Sequence, residues 1–593
     1  MRPPRPGRRA AAAAAVLCCL LAVPVPPAPA ASPKPAASRD AAGDPASWLA
    51  FTGGRLVYGQ DARGNRVPDF SSAGYAGGTR PLPTAADAVT LQPAASGDDT
   101  ARIQQALDRV AALPPGPGGL RGAVRLAAGR YRVGNPLRIT ASGVVLRGAG
   151  SGSDGTLLLA SGDPRALVEL AGTGEPTRSG PAHAVADAYV PVGASVLTLD
   201  SAAGLTPGQQ VVVQRPQEDG WIHAIGMDAI PARDDGTASH PWPAGAGLQF
   251  RRTVTAVDGN RITLDAPLTN ALEREYTHAV VWPYAFPGRI SQVGVESLSA
   301  DGFAFTEAAG YDTGGYFKAA LARFSAVQDG WLRDVTADRF GAGIGSIGDS
   351  ASRITFADTA ATRMDQAIPQ RAPFAQPAAY SVDGQQNLVT GCRVTGSNLH
   401  AWTTGPRVAG PNVFTRCTSE NTGRFRLDAG PHQRWATGTL YDCLTMRGSR
   451  GPADDLALTD RSNAGSGQGW AGANQVMWNA DVDYFAIQQP PTAHNWAFGT
   501  RGTPVADQAD GIRVSDGAPV EPACLYPQQL AERTSAGAPQ PVPDAPSGGP
   551  GAAPSAPAAA SPSEGDAIWP LAASAVLLAV AVAAVAVLRR RGR

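Results

Sequence analysis

The chain has 593 residues with 50 Lys and Arg against 50 Asp and Glu, a formal net charge of zero. Eight of the arginines sit in the first nine and last five residues, where no acid occurs, so everything between is net acidic by about eight charges. That balance argues against nucleic acid as a partner.

The chain begins MRPPRPGRRAAAAAAVLCCLLAVPVPPAPAA, with a basic start, a short apolar run and small residues at Ala28, Ala30 and Ala31. These features predict a signal peptide over 1–31, read as general secretion. An N-terminal segment, a capping helix and the first coils of the fold are expected over 40–189. In GDDTARIQQALDRVAAL, Asp98, Asp99 and Thr100 are N-cap candidates, and Ile103, Ala106, Leu107 and Val110 recur at helical spacing. Brief β-type runs broken by Gly, Pro and Asn follow, from Val124 to Leu146.

The helix motif DDT-x-x-I-Q-x-A-L, leading into G-x-V-x-L-x-x-G-x-Y-x-V and then G-V-x-L-x-G-x-G, resembles the cap and first coils of the pectate-lyase-like (pectin lyase fold) superfamily, in an uncharacterised bacterial branch. The resemblance implies an all-β, right-handed parallel β-helix whose capping helix hides the open sheet edge. A repeat supports it independently. Aligning six segments puts Asp334, Asp358, Cys392, Cys417, Cys443 and Asn479 in one column, at spacings of 24, 34, 25, 26 and 36 residues. Stacking at this column predicts a ladder of reduced thiols, with a disulfide between adjacent rungs as the alternative.

Residues 190–284 depart from the coil pattern, and Asp258-Gly259-Asn260 between two alternating runs signals a hairpin; an inserted antiparallel β unit is expected there. The main coils occupy 285–530, followed by a Pro/Ala/Ser-rich linker over 535–567. Residues 568–588 are long and apolar enough for a transmembrane helix, and the arginines of 589–593 place a basic tail in the cytoplasm with the large N-terminal part outside. The expected protein is therefore exported and anchored in the cell membrane through its C-terminal helix, as a monomer.

A sheet face flanked by loops suits an extended polymer, so the expected partner is a polysaccharide or cell-wall glycan. The densest polar constellation holds His400, Arg407, Arg424, Arg426, Asp428, His432 and Arg434. His400, Arg407, Asp428, His432 and Arg434 are the candidate catalytic groups. Trp402, Trp435, Trp470 and Trp496, with Arg424 and Arg426, are candidate sugar contacts, core packing being the alternative for each tryptophan. A β-eliminating polysaccharide lyase acting on uronic acids needs a cation, a base and an acid. A glycoside hydrolase needs two carboxylates, for which Asp383, Asp428, Asp454 and Asp455 are candidates. Lys318, one of two lysines, joins the catalytic candidates. With Arg339, and with Glu307 or Asp312 as calcium ligands, it resembles the Lys/Arg arrangement of calcium-dependent β-helix lyases. No CxxC or His-rich cluster points to a zinc site. The polygalacturonase and WIDH motifs are missing, so their catalytic residues are not carried over. The other function class, a non-catalytic glycan-binding or adhesive surface protein, would present exposed tryptophans alone.

Overall fold

The structure, a computed structural model, describes residues 48–303, 318–367, 378–396, 399–423, 426–453 and 455–535. The segments expected to be signal peptide, linker, transmembrane helix and basic tail lie outside them, as do Glu307, Asp312, Arg424 and Asp454. Among the described residues no helix is long and apolar enough to cross a membrane.

Parallel ladders dominate, and their registers close each coil on three sides. The coil beginning at Trp331 shows the pattern. Trp331–Arg333 pairs forward with Thr355–Ala357, and Val335–Asp338 pairs with Thr359–Thr362. After a turn, Gly345–Ile347 pairs with Tyr380–Val382. A further turn leads to the next rung. Successive rungs repeat this order through Ile512–Val514. The fold is a parallel β-helix.

The bend inside the long strand of each coil is made by one residue in the left-handed region. These corner residues are Ser297, Asp334, Asp358, Gly391, Arg416, Cys443, Asn479 and Gly499, with φ between 43° and 63°. A non-glycine residue is rare there, and the ladders on both sides hold it. Register therefore corrects the column read from sequence. Its two middle members are Gly391 and Arg416, each one position before a cysteine, because Thr390, Thr415 and Asp442 share a rung position. Cys392 and Cys417 instead turn into the core. They are joined to each other in a disulfide, and Cys443 is joined to Cys524. The expected ladder of reduced thiols is thus replaced by two bridges. Rungs about 4.8 Å apart bring adjacent Cα atoms within bridging range, here 4.5 Å.

Helix α1 (Thr100–Ala111) buries Ile103, Ala106, Leu107 and Val110 against the first coils. Its acidic start ties chain to chain more than it caps. Asp98 accepts from the amides of Thr100 (2.8 Å) and Gly134 (2.7 Å), and Thr100 Oγ1 also accepts from Gly134 (2.9 Å). Up the interior, Phe324, Phe356 and Tyr380 follow one another at 5.5 and 6.4 Å between ring centroids. Asn387 and Asn412 form a polar ladder at one turn, Asn412 Oδ1 accepting from both the amide (2.9 Å) and the side chain (3.1 Å) of Asn387.

An antiparallel sheet interrupts the coils in the turn after Ala166–Ala171. It begins at Thr177–Arg178, upstream of residue 190, and ends at Val280–Ala285. Asp258 pairs with Arg261 across the Gly259-Asn260 turn, with Gly259 at φ 57°. Buried Arg252 docks the insert on the coils, donating to the carbonyls of Ala266 (3.1 Å), Pro267 (2.8 Å) and Gly410 (2.7 Å). Helix α2 (Asp219–Ala224) and the loop after it pack on a later loop of the coils. Asn463 donates to the Ala232 carbonyl (2.8 Å), and the amides of His240 and Trp470 reach the Ser466 carbonyl (3.2 Å) and the Met227 sulfur (3.3 Å).

Candidate functional site

The strand Leu399–Thr404 pairs in parallel with Leu427–Pro431, setting His400 directly beside Asp428. The next rung sets Ala429 beside Leu456, so Asp455 follows Asp428, about 4.8 Å further along the axis. Leu456 pairs in turn with Phe485, which puts Tyr484 next in this column. Ala401, Leu427, Ala429 and Leu456 belong to the core, so strand alternation turns the His400–Asp428–Asp455 column outward. One extra residue bulges the first strand between His400 and Thr403, and both Ala401 and Trp402 enter the core there.

Charged groups gather on this column. His400 Nδ1 is hydrogen-bonded to one Asp428 oxygen, and the other oxygen takes Arg426 Nη2 at 3.3 Å. The imidazole of His432 stands edge-on to that of His400, 4.9 Å between centroids. Arg461 Nη1 lies 3.5 Å from His432 Nδ1, and the Gln468 side-chain amide lies 3.0 Å from His432 Nε2. Because a guanidinium only donates, Nδ1 of His432 must offer its lone pair, leaving the proton on Nε2. Gln468 then turns its oxygen toward that proton. This orientation also gives a partner to Gln468 Oε1, which otherwise has none among the described residues.

Environment separates the protonation states. Burial, then the charges of His400 and Arg461, holds the His432 imidazole well below its usual range, so it is neutral. Burial pushes Asp455 up to about 7, with the Asp428 charge adding to the rise. For Asp428 burial also acts upward, but the charge and hydrogen bond of His400, with Arg426 and Arg461, bring it net below the ordinary carboxylate range. An ionised Asp428 accepting from Nδ1–H of His400 keeps that proton in place, so the proton that charges and discharges the ring is the one at Nε2. The cluster thus holds an oriented imidazole, a carboxyl group that keeps its proton up to about pH 7 and two guanidinium groups. His400 is 1% exposed, whereas Arg426, on the far side of Asp428, has a side chain 36% exposed.

Arg407 and Arg434 stand at neighbouring rungs of the adjoining turn, joined through the Arg407 amide and Arg434 carbonyl (2.8 Å); the Arg434 amide donates to the Gln468 carbonyl (3.0 Å). Asp383 precedes His432 by two rungs in the same turn; burial and the Asp349 charge push it up to about 6. Arg461 and Gln468 went unread in the sequence. They lie 29 and 36 residues after His432, within the spacing of coils, in a Gly/Ser-rich stretch that resembles a plain loop.

Other expectations require correction. Lys318 is exposed at the start of strand Ala320–Ser325, three rungs before His400, too far to join it. Its proposed companion Arg339 is committed to Asp301 and Asp338 and lies over the Phe303 ring. The tryptophans are packing groups. Trp402 is interior, its Nε1 donating to Cys392 Sγ at 2.9 Å. Trp435 donates to Asn270 Oδ1 (2.9 Å) and meets Trp221 edge-on, and Trp470 joins the same interface with the insert. Trp496 packs on Trp48. None of the four presents a face to a sugar, because each is at most 5% exposed. Among the described residues the one grouping with metal-ligand geometry is Asp442, Cys443 and Cys524. Its two sulfurs are bonded to each other.

No family model and no curated protein matches this chain. Among solved structures it is similar to the Geobacillus virus E2 ORF18 protein (11% identity, 72% of this chain and 59% of that one, TM-score 0.33). It is also similar to the Gp54 tailspike of Acinetobacter baumannii bacteriophage AP22, solved in complex with an A. baumannii capsular saccharide (10%, 71% and 63%, TM-score 0.29). A third is polygalacturonase from Erwinia carotovora ssp. carotovora (11%, 74% and 96%, TM-score 0.35). The chain spans less than two thirds of the first two. At these identities the likeness concerns the fold alone, and the ladder registers carry that assignment by themselves. The parallel β-helix expected from the cap and coil period is what those registers show.

Proposed function

We propose that this protein is a cell-surface, carbohydrate-active enzyme that cleaves a uronic-acid-containing polysaccharide by β-elimination at the His400 cluster. The observation that carries the reading is the outward column in which ionised Asp428 orients His400 on one rung and neighbours, on the next, an Asp455 that holds its proton up to about pH 7. Arg426 and Arg461 neutralise the substrate carboxylate and so acidify the neighbouring C5–H. His400 Nε2 takes that proton, and Asp428 stabilises the imidazolium. The C4–O bond breaks as a C4–C5 double bond forms, and Asp455 gives its proton to the departing oxygen. Water then restores both groups. Neutral His432, held between Arg461 and Gln468, adds no charge that would oppose the imidazolium.

A second reading, hydrolysis, is favoured by one observation: Asp428 and Asp455 are adjacent carboxyl groups held in opposite protonation states. Incubating the purified protein with uronate and neutral polysaccharides separates the readings. Elimination yields an unsaturated, ultraviolet-absorbing product, whereas hydrolysis yields reducing ends without it. A protein that binds these glycans and releases neither product is a lectin-like surface protein, and the enzyme reading falls. The apolar run of 568–588 and the arginines after it support a membrane tether with the β-helix outside. Loss of the protein from intact cells on external protease treatment tests that placement.

A further inference from the structure

The inserted antiparallel unit contains a cavity of about 380 Å³ between its short strands His183–Ala184 and Leu272–Glu273, distant in sequence from every group of the His400 cluster. The volume lies at the small end of the range of small-molecule sites, ~300–1,000 Å³. Buried Val185, Leu272 and Ala279 supply an apolar floor. Asp187 and Asp200 stand on the wall, each with one oxygen already accepting a backbone amide, from Thr198 and Ser201 (both 2.7 Å). Their second oxygens remain as acceptors. Arg274, also on the wall, is held in place by the carbonyls of Val185 and Ala186. Thr277, 1% exposed, has an Oγ1 with no partner among the described residues.

We infer that this cavity is a second, non-catalytic glycan site that binds an uncharged saccharide. Two carboxylates against one guanidinium, with the lining His278 ring matched by Glu218 at 3.3 Å, give the wall a negative sign, which disfavours uronates and phosphates. Carboxylate oxygens accept from vicinal sugar hydroxyls while the guanidinium donates to a ring or hydroxyl oxygen. The C–H face of a pyranose covers the apolar floor. Such a site would hold a neutral stretch of polymer while the β-helix acts on a charged one, and it stands whether or not the His400 cluster is catalytic.

Saturation-transfer NMR on the purified protein with neutral gluco-, manno-, galacto- and N-acetylglucosamine-configured disaccharides tests it. At least one should show binding to the wild type and equally to His400→Ala. Asp187→Asn/Asp200→Asn keeps both backbone hydrogen bonds and should weaken that binding at least tenfold. Should the double variant melt early, Asp200→Asn alone, at an exposed residue, should weaken binding several-fold. The inference is overturned if no neutral disaccharide binds the wild type, if the carboxamide variants bind as the wild type does, or if His400→Ala abolishes binding.

Discussion

Two outward faces of the same coils have opposite fates. On one, Leu388, Val413, Leu440, Val476 and Trp496 form an apolar stripe, closed over by the N-terminal strap from Trp48 to Ala73 and by helix α3 (Leu525–Ser535). Asp442 anchors that helix, accepting from the Leu525 (2.7 Å) and Tyr526 (3.2 Å) amides, beside the Cys443–Cys524 bridge. On the other, His400, Asp428 and Asp455 meet arginines and a second histidine. A β-helix coil specifies its interior and its corners, and leaves outward positions open to whatever the chain supplies. One face here became a second core, and the other collected ionisable groups.

Substitutions on the two faces should therefore fail in different ways. His400→Ala is expected to lower turnover by about a thousandfold, the range for loss of a general base, while costing only about 1–3 kcal/mol of stability as buried Asp428 loses its partner. A matching loss of thermal stability would recast the cluster as structural. On the covered face, replacing Trp478, fully buried in the same apolar cluster, by alanine is expected to cost about 3–5 kcal/mol in chemical denaturation, with activity per folded molecule intact. Breaking the Cys443–Cys524 bridge, which closes 81 residues of chain, should destabilise by about 4 kcal/mol, more than breaking Cys392–Cys417 across 25 residues.

The pH response sharpens the comparison further. Asp455 has a folded pKa raised to about 7, so the native state holds its proton where the unfolded chain has lost it. Its contribution to stability is full below about pH 4 and fades as pH rises toward 7. Activity that uses the Asp455 proton should likewise fall above about pH 7, and Asp455→Asn should remove both effects, as pH-rate profiles and pH-dependent melts would reveal. The smallest effect is expected from Gln468→Leu: a several-fold loss of turnover as His432 loses the partner of its Nε2.

Much of this contrast was legible in the chain. The coil period puts His400 with Arg407, and His432 with Arg434, on neighbouring coils, since a parallel stack converts spacing into proximity. It misplaced the corner column by one residue at two rungs, because chemical likeness among cysteines outweighed the backbone requirement that Gly391 and Arg416 meet. The tryptophans misled for a related reason. Whether Trp435 faces solvent or the insert depends on where the insert docks, and docking through Arg252 and Asn270 is a tertiary fact with no local sign. Arg461 and Gln468 were hidden because their loop is shaped by contacts to the insert near Ala232 and Met227.

The central claim is that Asp428-oriented His400 removes a proton from a uronate. It is tested most directly by following unsaturated product from a uronate polysaccharide with wild type, His400→Ala and Asp428→Asn side by side. The account predicts product from the wild type, its near-complete loss in His400→Ala and a large loss in Asp428→Asn, all three folded. Unsaturated product undiminished in His400→Ala, or none from the wild type on any uronate polymer, would contradict it.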